Sequence, residues 1–185
     1  MAITTYSDLQ TTVANYLARS DLTAQIPDFI LLAEIRLRRD LRIRQMMNAA
    51  TTTTTGGDAT VALPSDFLEV RDLVMQTNPI RPVNYISPSV FSRNARVTES
   101  GVPTDYTILA TEFKFAPVPD TAYTVEIVYY AAPPFLTSTN SSNVFLANCP
   151  DLLLYASLVE AEPYLMNDAR IQVWAGMYDR GVASL

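Results

Sequence analysis

Ten of the twelve prolines lie between residues 64 and 150, and this clustering limits the possible folds more than any other feature. Proline lacks a backbone N–H and fixes φ, so it breaks helix interiors and is kept out of central strands. The middle of the chain is therefore predicted to hold short strands joined by loops. Long helices are confined to the two ends, where only Pro27 and Pro163 occur.

Both ends show the spacing of amphipathic helices. The apolar residues of a first predicted helix are Leu9, Val13, Tyr16 and Leu17. A second helix has Pro27 in its first turn and extends to about Arg44. Pro150 opens a third helix, which Pro163 kinks or ends, and Asn167-Asp168 caps a last one. The apolar residues of that last helix are Ile171, Trp174, Met177 and Tyr178.

The middle segment has the alternation and turn residues of β-structure. Strands are predicted over residues 67–76, 106–109, 113–115 and 123–130, and a short helical turn over 87–93. In the last strand the alternation predicts one apolar face, made by Tyr123, Val125, Ile127 and Tyr129. Threonine-rich residues 51–55 and 60–63 flank Gly56-Gly57 and predict a β-hairpin. Residues 137–143 form a polar linker.

Two amphipathic helices at each end cannot bury their apolar stripes alone. We therefore predict an α+β fold, in which the terminal helix pairs pack as an α-helical bundle around an inserted antiparallel β domain. The predicted parts are residues 1–45 (N-terminal half of the bundle), 46–147 (β-rich domain) and 148–185 (C-terminal half). No apolar run approaches the ~20 residues that span a bilayer, so no membrane partner is expected.

The residue inventory excludes most catalytic chemistry within this chain. It has no histidine and one cysteine, Cys149, which excludes Ser-His-Asp and Cys-His catalysis, His-ligated metals and an intramolecular disulfide. No glycine-rich phosphate-binding motif occurs. We predict no catalytic, cofactor-binding or metal-binding residue, no cofactor, and no enzymatic activity.

Three weaker features each have a structural explanation beside a functional one. Cys149 at a helix start could be reactive, but it is more simply a small buried residue. The carboxylates of Asp66, Glu69 and Asp72 would align for a cation only on a helix, whereas their segment is predicted as strand. Lys114, the only lysine, is predicted on the exposed side of a strand.

A cluster of arginines is the sharpest charge feature. Its members are Arg36, Arg38, Arg39, Arg42 and Arg44. Acidic residues four positions away, Glu34 and Asp40, partly neutralise the cluster on a helix surface. The net charge of −6 also disfavours a stand-alone nucleic-acid-binding protein. We interpret these arginines as inter-subunit contacts, with a DNA-channel role as the alternative.

The ordered set of motifs along the chain resembles the head-to-tail connector, or adaptor, proteins of tailed bacteriophages. The segments that carry the resemblance are 5–9 (Thr-Tyr-Ser-Asp-Leu), 26–30, 33–39, 63–68, 101–106, 115–120, 125–130 and 160–165, followed by Asp168, Trp174, Tyr178 and Asp179. Each motif alone is ordinary capping, turn or strand chemistry. Their order over nearly the whole chain makes the resemblance specific.

The resemblance implies a structural virion protein that forms a dodecameric ring between portal and tail, with a central channel for the genome. The implied partners are other copies of the chain, the portal protein, a tail or nozzle protein, and genomic double-stranded DNA that passes without sequence-specific binding. The implied location is the virion neck, after assembly in the host cytoplasm. The terminal helices would dock on the portal through Trp174, Met177, Tyr178 and Arg180. Residues 137–143 and 51–57 are expected to become ordered only in the ring.

Two other functions stay open at this stage. A receptor- or carbohydrate-binding tail component would need several tyrosines exposed together; the candidates are Tyr85, Tyr106, Tyr123 and Tyr130. An enzyme without histidine could use two carboxylates about 5–10 Å apart, as in glycoside hydrolysis. No sequence pattern places such a pair.

Overall fold

Along the chain, helices precede and follow a segment with eight short strands in the computed structural model, which describes residues 3–93, 95–166 and 169–185. The chain divides into two compact units. The helical unit comprises Met1–Met46 and Pro133–Leu185, and the β unit comprises Met47–Ala132. The mixed α+β class predicted from the sequence is thereby confirmed. The second division lies before Pro133 and not after residue 147, because residues 133–143 bond to helices of the helical unit.

The first helices of the helical unit are α1 (Tyr6–Leu17) and α2 (Ile26–Asp40). Thr5 and Asp8 form a reciprocal capping box that starts α1. Leu9, Val13 and Leu17 are buried, whereas Tyr16, which the spacing also placed in the stripe, is 45% exposed. Helix α2 ends at Asp40, earlier than the predicted Arg44, because Leu41 adopts an extended conformation. A 3-10 turn, Arg44–Met46, follows.

The C-terminal part of this unit has four helices: α4 (Val144–Asn148), α5 (Pro150–Glu160), α6 (Glu162–Leu165) and α7 (Arg170–Ala183). Helix α5 is buried on most sides and contacts α1, α2, α4 and α7. Pro163 lies in the first turn of α6, so the predicted break there is confirmed. Helix α4 was not predicted from the sequence, and the predicted cap Asn167-Asp168 lies outside the described residues.

The β unit contains two four-stranded sheets. In one, the strand order is β1 (Met47–Thr53), β8 (Thr124–Ala131), β3 (Phe67–Met75) and β4 (Arg81–Pro82). In the other, it is β2 (Thr60–Ala62), β7 (Glu112–Ala116), β6 (Asp105–Leu109) and β5 (Asn84–Tyr85). The short helix α3 (Pro88–Phe91) and a 3-10 turn (Ala95–Thr98) join β5 to β6.

The predicted hairpin around Gly56-Gly57 is wrong, because β1 and β2 belong to different sheets. The glycines do not reverse the chain onto a neighbouring strand; they pack against the turn before β8. The N–H of Gly57 donates to Pro119 O at 2.8 Å, and a side chain at Gly56 would meet Asp120 O at 3.0 Å. The conformation of Gly56-Gly57 is therefore determined by this tertiary contact and not by a two-residue hairpin turn.

The core of the β unit is made by alternate residues of its central strands. Val125, Ile127 and Tyr129 of β8 are buried, which confirms three members of the predicted apolar face, whereas Tyr123 lies just before the strand and is half-buried. Phe113 and Phe115 of β7 are also fully buried. Among the described residues, no helix is long and apolar enough to cross a membrane.

Candidate interaction surface

Arg36 and Tyr178, one residue from each of the two predicted contact sets, meet where α2, α5 and α7 of the helical unit pack together. The hydroxyl of Tyr178 donates to Asp40 Oδ2 at 2.8 Å. Arg36 Cζ lies 5.7 Å from the centre of the Tyr178 ring, and Arg36 Nη2 is 2.6 Å from Glu160 Oε1. A residue of the predicted portal-docking set and one of the predicted inter-subunit set thus belong to one polar cluster.

The surroundings of Tyr178 keep its hydroxyl protonated, so that it can donate a hydrogen bond. Burial raises the pKa of the Tyr178 hydroxyl well above its ordinary value, and the carboxylate of Asp40 raises it further. The hydroxyl therefore stays protonated at any physiological pH. Its bond to Asp40 ties the C-terminal end of α2 to α7, so Tyr178 is first a structural residue.

Trp174, predicted to dock on a partner, is buried as well. Arg170 Cζ lies 5.1 Å from its ring centre, and Arg170 Nη1 donates to Tyr16 O at 3.0 Å. The ring is thus covered within the chain. The residues exposed on the outward face of α7 are Val173, Met177 and Arg180, and not Trp174.

Arg38 is held inside the helical unit by residues that follow the β unit. Its guanidinium donates to Pro133 O and lies 3.4 Å from the centre of the Phe135 ring. Burial lowers the pKa of Arg38, while the nearby Glu34 opposes that shift. Arg38 is consequently occupied in fixing the chain where it returns from the β unit.

The last three arginines of the cluster lie in the last turn of α2 and just after it. Arg39, Arg42 and Arg44 are exposed, and Arg42 Nη1 donates to Arg38 O at 2.8 Å and Leu41 O at 2.7 Å. Arg42 thereby caps carbonyls that the end of the helix leaves unpaired. Residues 40–45 and the end of α7 line an open groove of about 500 Å³. Positive and apolar side chains share this groove.

Glu34, predicted as a surface partner of the arginine cluster, is instead a buried charged residue, so that prediction is wrong for Glu34. It is 1% exposed, and its carboxylate accepts the N–H of Leu136 at 3.1 and 3.2 Å and Asn143 Nδ2 at 2.6 Å. Burial raises its pKa, against the opposing effects of these two donors and of Arg38. The sequence does carry a signal for this burial: Glu34 is four residues after Ile30 and three before Leu37, so it lies on the same helix face as these two buried residues.

The weaker chemical candidates have structural roles. Cys149 is buried, and burial raises its thiol pKa to about 11, so the reactive thiolate is disfavoured. Asp66 accepts a hydrogen bond from the Tyr129 hydroxyl at 2.9 Å. Lys114 lies in β7 between buried Phe113 and Phe115. Across the described residues, no group of three or more Cys, Asp or Glu side chains could hold a metal ion.

The tyrosines do not form a shared exposed platform. Tyr106 is buried, the Tyr123 hydroxyl donates to Asp120 at 2.7 Å, and the half-buried Tyr130 accepts a hydrogen bond from Arg71 at 3.5 Å. Tyr85 is 55% exposed, with its ring 5.6 Å from that of Tyr106. This arrangement does not favour the carbohydrate-binding alternative.

The sequence model of a family described as SU10 adaptor protein matches residues 4–185. The match includes the segments of both the helical unit and the β unit. No curated protein matches the chain.

Proposed function

The chain belongs to the SU10 adaptor protein family, and from this premise we propose that it forms a ring that joins the portal to the tail of a bacteriophage. Family membership makes it a structural, virion-associated adaptor protein. The proposal adds a closed homo-oligomer, a dodecamer, that sits in the neck and surrounds a channel for the genome. The observation that carries it is the family match over both compact units.

Docking on the portal is assigned to the outward face of α7. Val173 and Met177 are exposed apolar residues, and Arg180 extends the same face. Exposed apolar residues beside arginine are typical of the centre of protein interfaces. Trp174 and Tyr178 support this face from beneath, through Arg170 and Asp40.

The exposed arginines Arg39, Arg42 and Arg44 are assigned to contacts between subunits. Arg36 and Arg38 are already held within the chain, by Glu160 and by Pro133 and Phe135. The cluster therefore does not present five phosphate-binding cations, and the net charge is −6. A bore with few available cations lets DNA pass without binding. In this proposal the protein catalyses no reaction.

The test is the mass of the purified chain in solution, alone and after mixing with the portal ring of the same phage. We expect a discrete multi-copy complex, or monomers that the portal recruits in a fixed ratio. Replacing Met177 by Asp should weaken recruitment by about tenfold or more, since a desolvated charge in an interface core costs at least ~1.4 kcal/mol. Leu31→Asp is the matched control, because Leu31 is 40% and Met177 37% exposed.

Two results would count against this assignment. A chain that stays monomeric and ignores the portal ring would refute the connector function. Equal recruitment of the Met177→Asp and Leu31→Asp variants would be compatible with the proposed ring but would refute the assignment of portal docking to α7. Fluorescence anisotropy with labelled duplex DNA tests the channel separately: we expect no saturable binding near 0.15 M salt.

A further inference from the structure

Strand β1 is an edge strand without the usual protection. In the part of the chain that the structure describes, β8 is its only neighbour, and the two pair without interruption from Met47–Tyr130 to Thr53–Thr124. β1 contains no charged residue, proline, glycine or bulge. Natural edge strands normally carry one of these features, because a long plain edge pairs with other chains.

The hydrogen-bond pattern shows which groups of β1 face away from β8. The N–H of Thr54 donates to Tyr123 O at 2.9 Å, so even-numbered residues of the strand bond to β8. Odd-numbered residues point their backbone groups to the edge. Ala49 N–H is bonded to Asn48 Oδ1 at 2.9 Å, which leaves the N–H groups of Thr51 and Thr53 facing outward.

The other edges of the two sheets are short. β2, β4 and β5 have three, two and two residues, and β4 contains Pro82. β4 pairs with β3 only at Val74 and Met75, so among the described residues no strand pairs with residues 67–72 of β3 on that side. A groove of about 450 Å³ opens there, lined by residues 67–71 with Tyr85, Tyr106 and Ile108.

We propose that β1 of one copy adds to the uncovered half of β3 in the next copy, which makes one sheet continuous from subunit to subunit. This inference rests on the proposed ring. The donor edge is uncharged and regular, while the acceptor carries Glu69, Arg71 and Asp72, so the pairing brings no like charges together. These charges, and the register shifts between Phe67 and Glu69 and between Val70 and Asp72, disfavour pairing of β3 with a second β3 and leave the unprotected β1 as its partner. The two edges differ, and such a head-to-tail contact closes into a ring.

Strand direction supports this pairing over a two-fold contact between two β1 strands. β1 and β3 both run antiparallel to β8, so they run in the same direction within one copy. Successive copies in a ring of many subunits are related by a small rotation, which nearly preserves that direction. The new pair is therefore parallel, whereas a two-fold axis would make an antiparallel dimer that cannot grow.

One test removes a backbone donor at the edge. Thr51→Pro deletes an outward N–H and should leave the monomer folded, because proline is tolerated where the N–H faces solvent. Thr52→Pro is the control, since it deletes a bond to β8 and should lower the unfolding temperature. We expect Thr51→Pro to abolish the oligomer in solution and on the portal ring. Normal assembly of this variant would overturn the proposal.

A second test detects the contact directly with a short bismaleimide crosslinker. Thr51 and Glu69 lie on the same face of the sheet, opposite Glu126 and Tyr130 of β8. The variants Thr51→Cys and Glu69→Cys, mixed in the presence of the portal ring, should give a crosslinked dimer that neither gives alone. Ala49→Cys and Thr53→Cys repeat the test at neighbouring registers. The buried Cys149 of the unmodified chain gives the background.

The outcomes separate the two proposals. Crosslinking of Thr51→Cys alone would indicate two-fold pairing and overturn the head-to-tail contact. Rings that form without any of these crosslinks would overturn the strand pairing and leave the connector function intact. A chain that forms no oligomer and is not recruited by the portal would overturn the proposed function, and the strand pairing with it.

Discussion

Replacing Glu34 by alanine should be among the most destabilising single changes in the helical unit. The substitution leaves the buried N–H of Leu136 and one N–H of the Asn143 amide without an acceptor. A buried donor left unpaired costs about 1–3 kcal/mol. Part of that cost is recovered, because the raised pKa of Glu34 means that burial of its charge is itself unfavourable. We expect a net loss of about 2–4 kcal/mol.

Glu34→Gln is the control, because it keeps an oxygen at the position where Oε1 meets both donors at 3.1 and 2.6 Å. It should cost about 1 kcal/mol, the usual worth of a hydrogen bond. Urea unfolding followed by the fluorescence of Trp174, the only tryptophan, measures the helical unit. Amide exchange should also accelerate at Leu136 in the alanine variant.

The pH dependence gives an independent check with a definite sign. The pKa of Glu34 is raised in the folded state, so its contribution to stability is fully present below the ordinary value of 4.5 and is lost as pH rises through the folded pKa. The glutamine variant has no such loss. Its stability deficit relative to the unmodified chain should therefore shrink from pH 4 to pH 8. A deficit that stays constant, or an alanine variant within 1 kcal/mol of the parent, would refute the buried-carboxylate argument.

Two further predictions concern α7. A side chain at Gly181 would clash with the buried Leu152, whereas one at Gly176 meets nothing within 4 Å. Gly181→Ala should therefore cost about 1–3 kcal/mol and Gly176→Ala stabilise by about 0.5–1 kcal/mol in urea unfolding. Tyr178→Phe should cost about 0.5–1.5 kcal/mol, the usual worth of one hydrogen bond, because the exposed carboxylate of Asp40 can accept from water instead, and the double variant with Asp40→Ala should show that the two losses are not additive.

Local patterns of the sequence predicted the elements whose signal lies within the element itself. The alternation in β8 placed Val125 and Ile127 inward because side chains of a strand alternate strictly between its faces. Pro163 marked the break between α5 and α6 because its ring cannot be accommodated in a helix interior. These rules need no knowledge of distant residues.

The failures have one physical origin, which is contact between residues far apart in the chain. Gly56-Gly57 resembles a hairpin turn locally, but the turn at residues 119–120 determines its conformation. Helix α2 ends at Asp40, although Leu41 continues the apolar spacing and is buried. The partners of Glu34 are 102 and 109 residues away, and no local pattern identifies them.

Helix α7 illustrates how the predicted docking set combined two faces of one helix. Trp174 and Tyr178 are four residues apart and face inward, whereas Val173, Met177 and Arg180 form the outward stripe. Large aromatic residues are favoured both in cores and in interfaces, so composition could not separate the two stripes. Because Trp174 is already covered by Arg170, portal docking through the outward stripe should change its fluorescence little. Unfolding of α7, by contrast, exposes the indole, so one probe distinguishes docking from loss of structure.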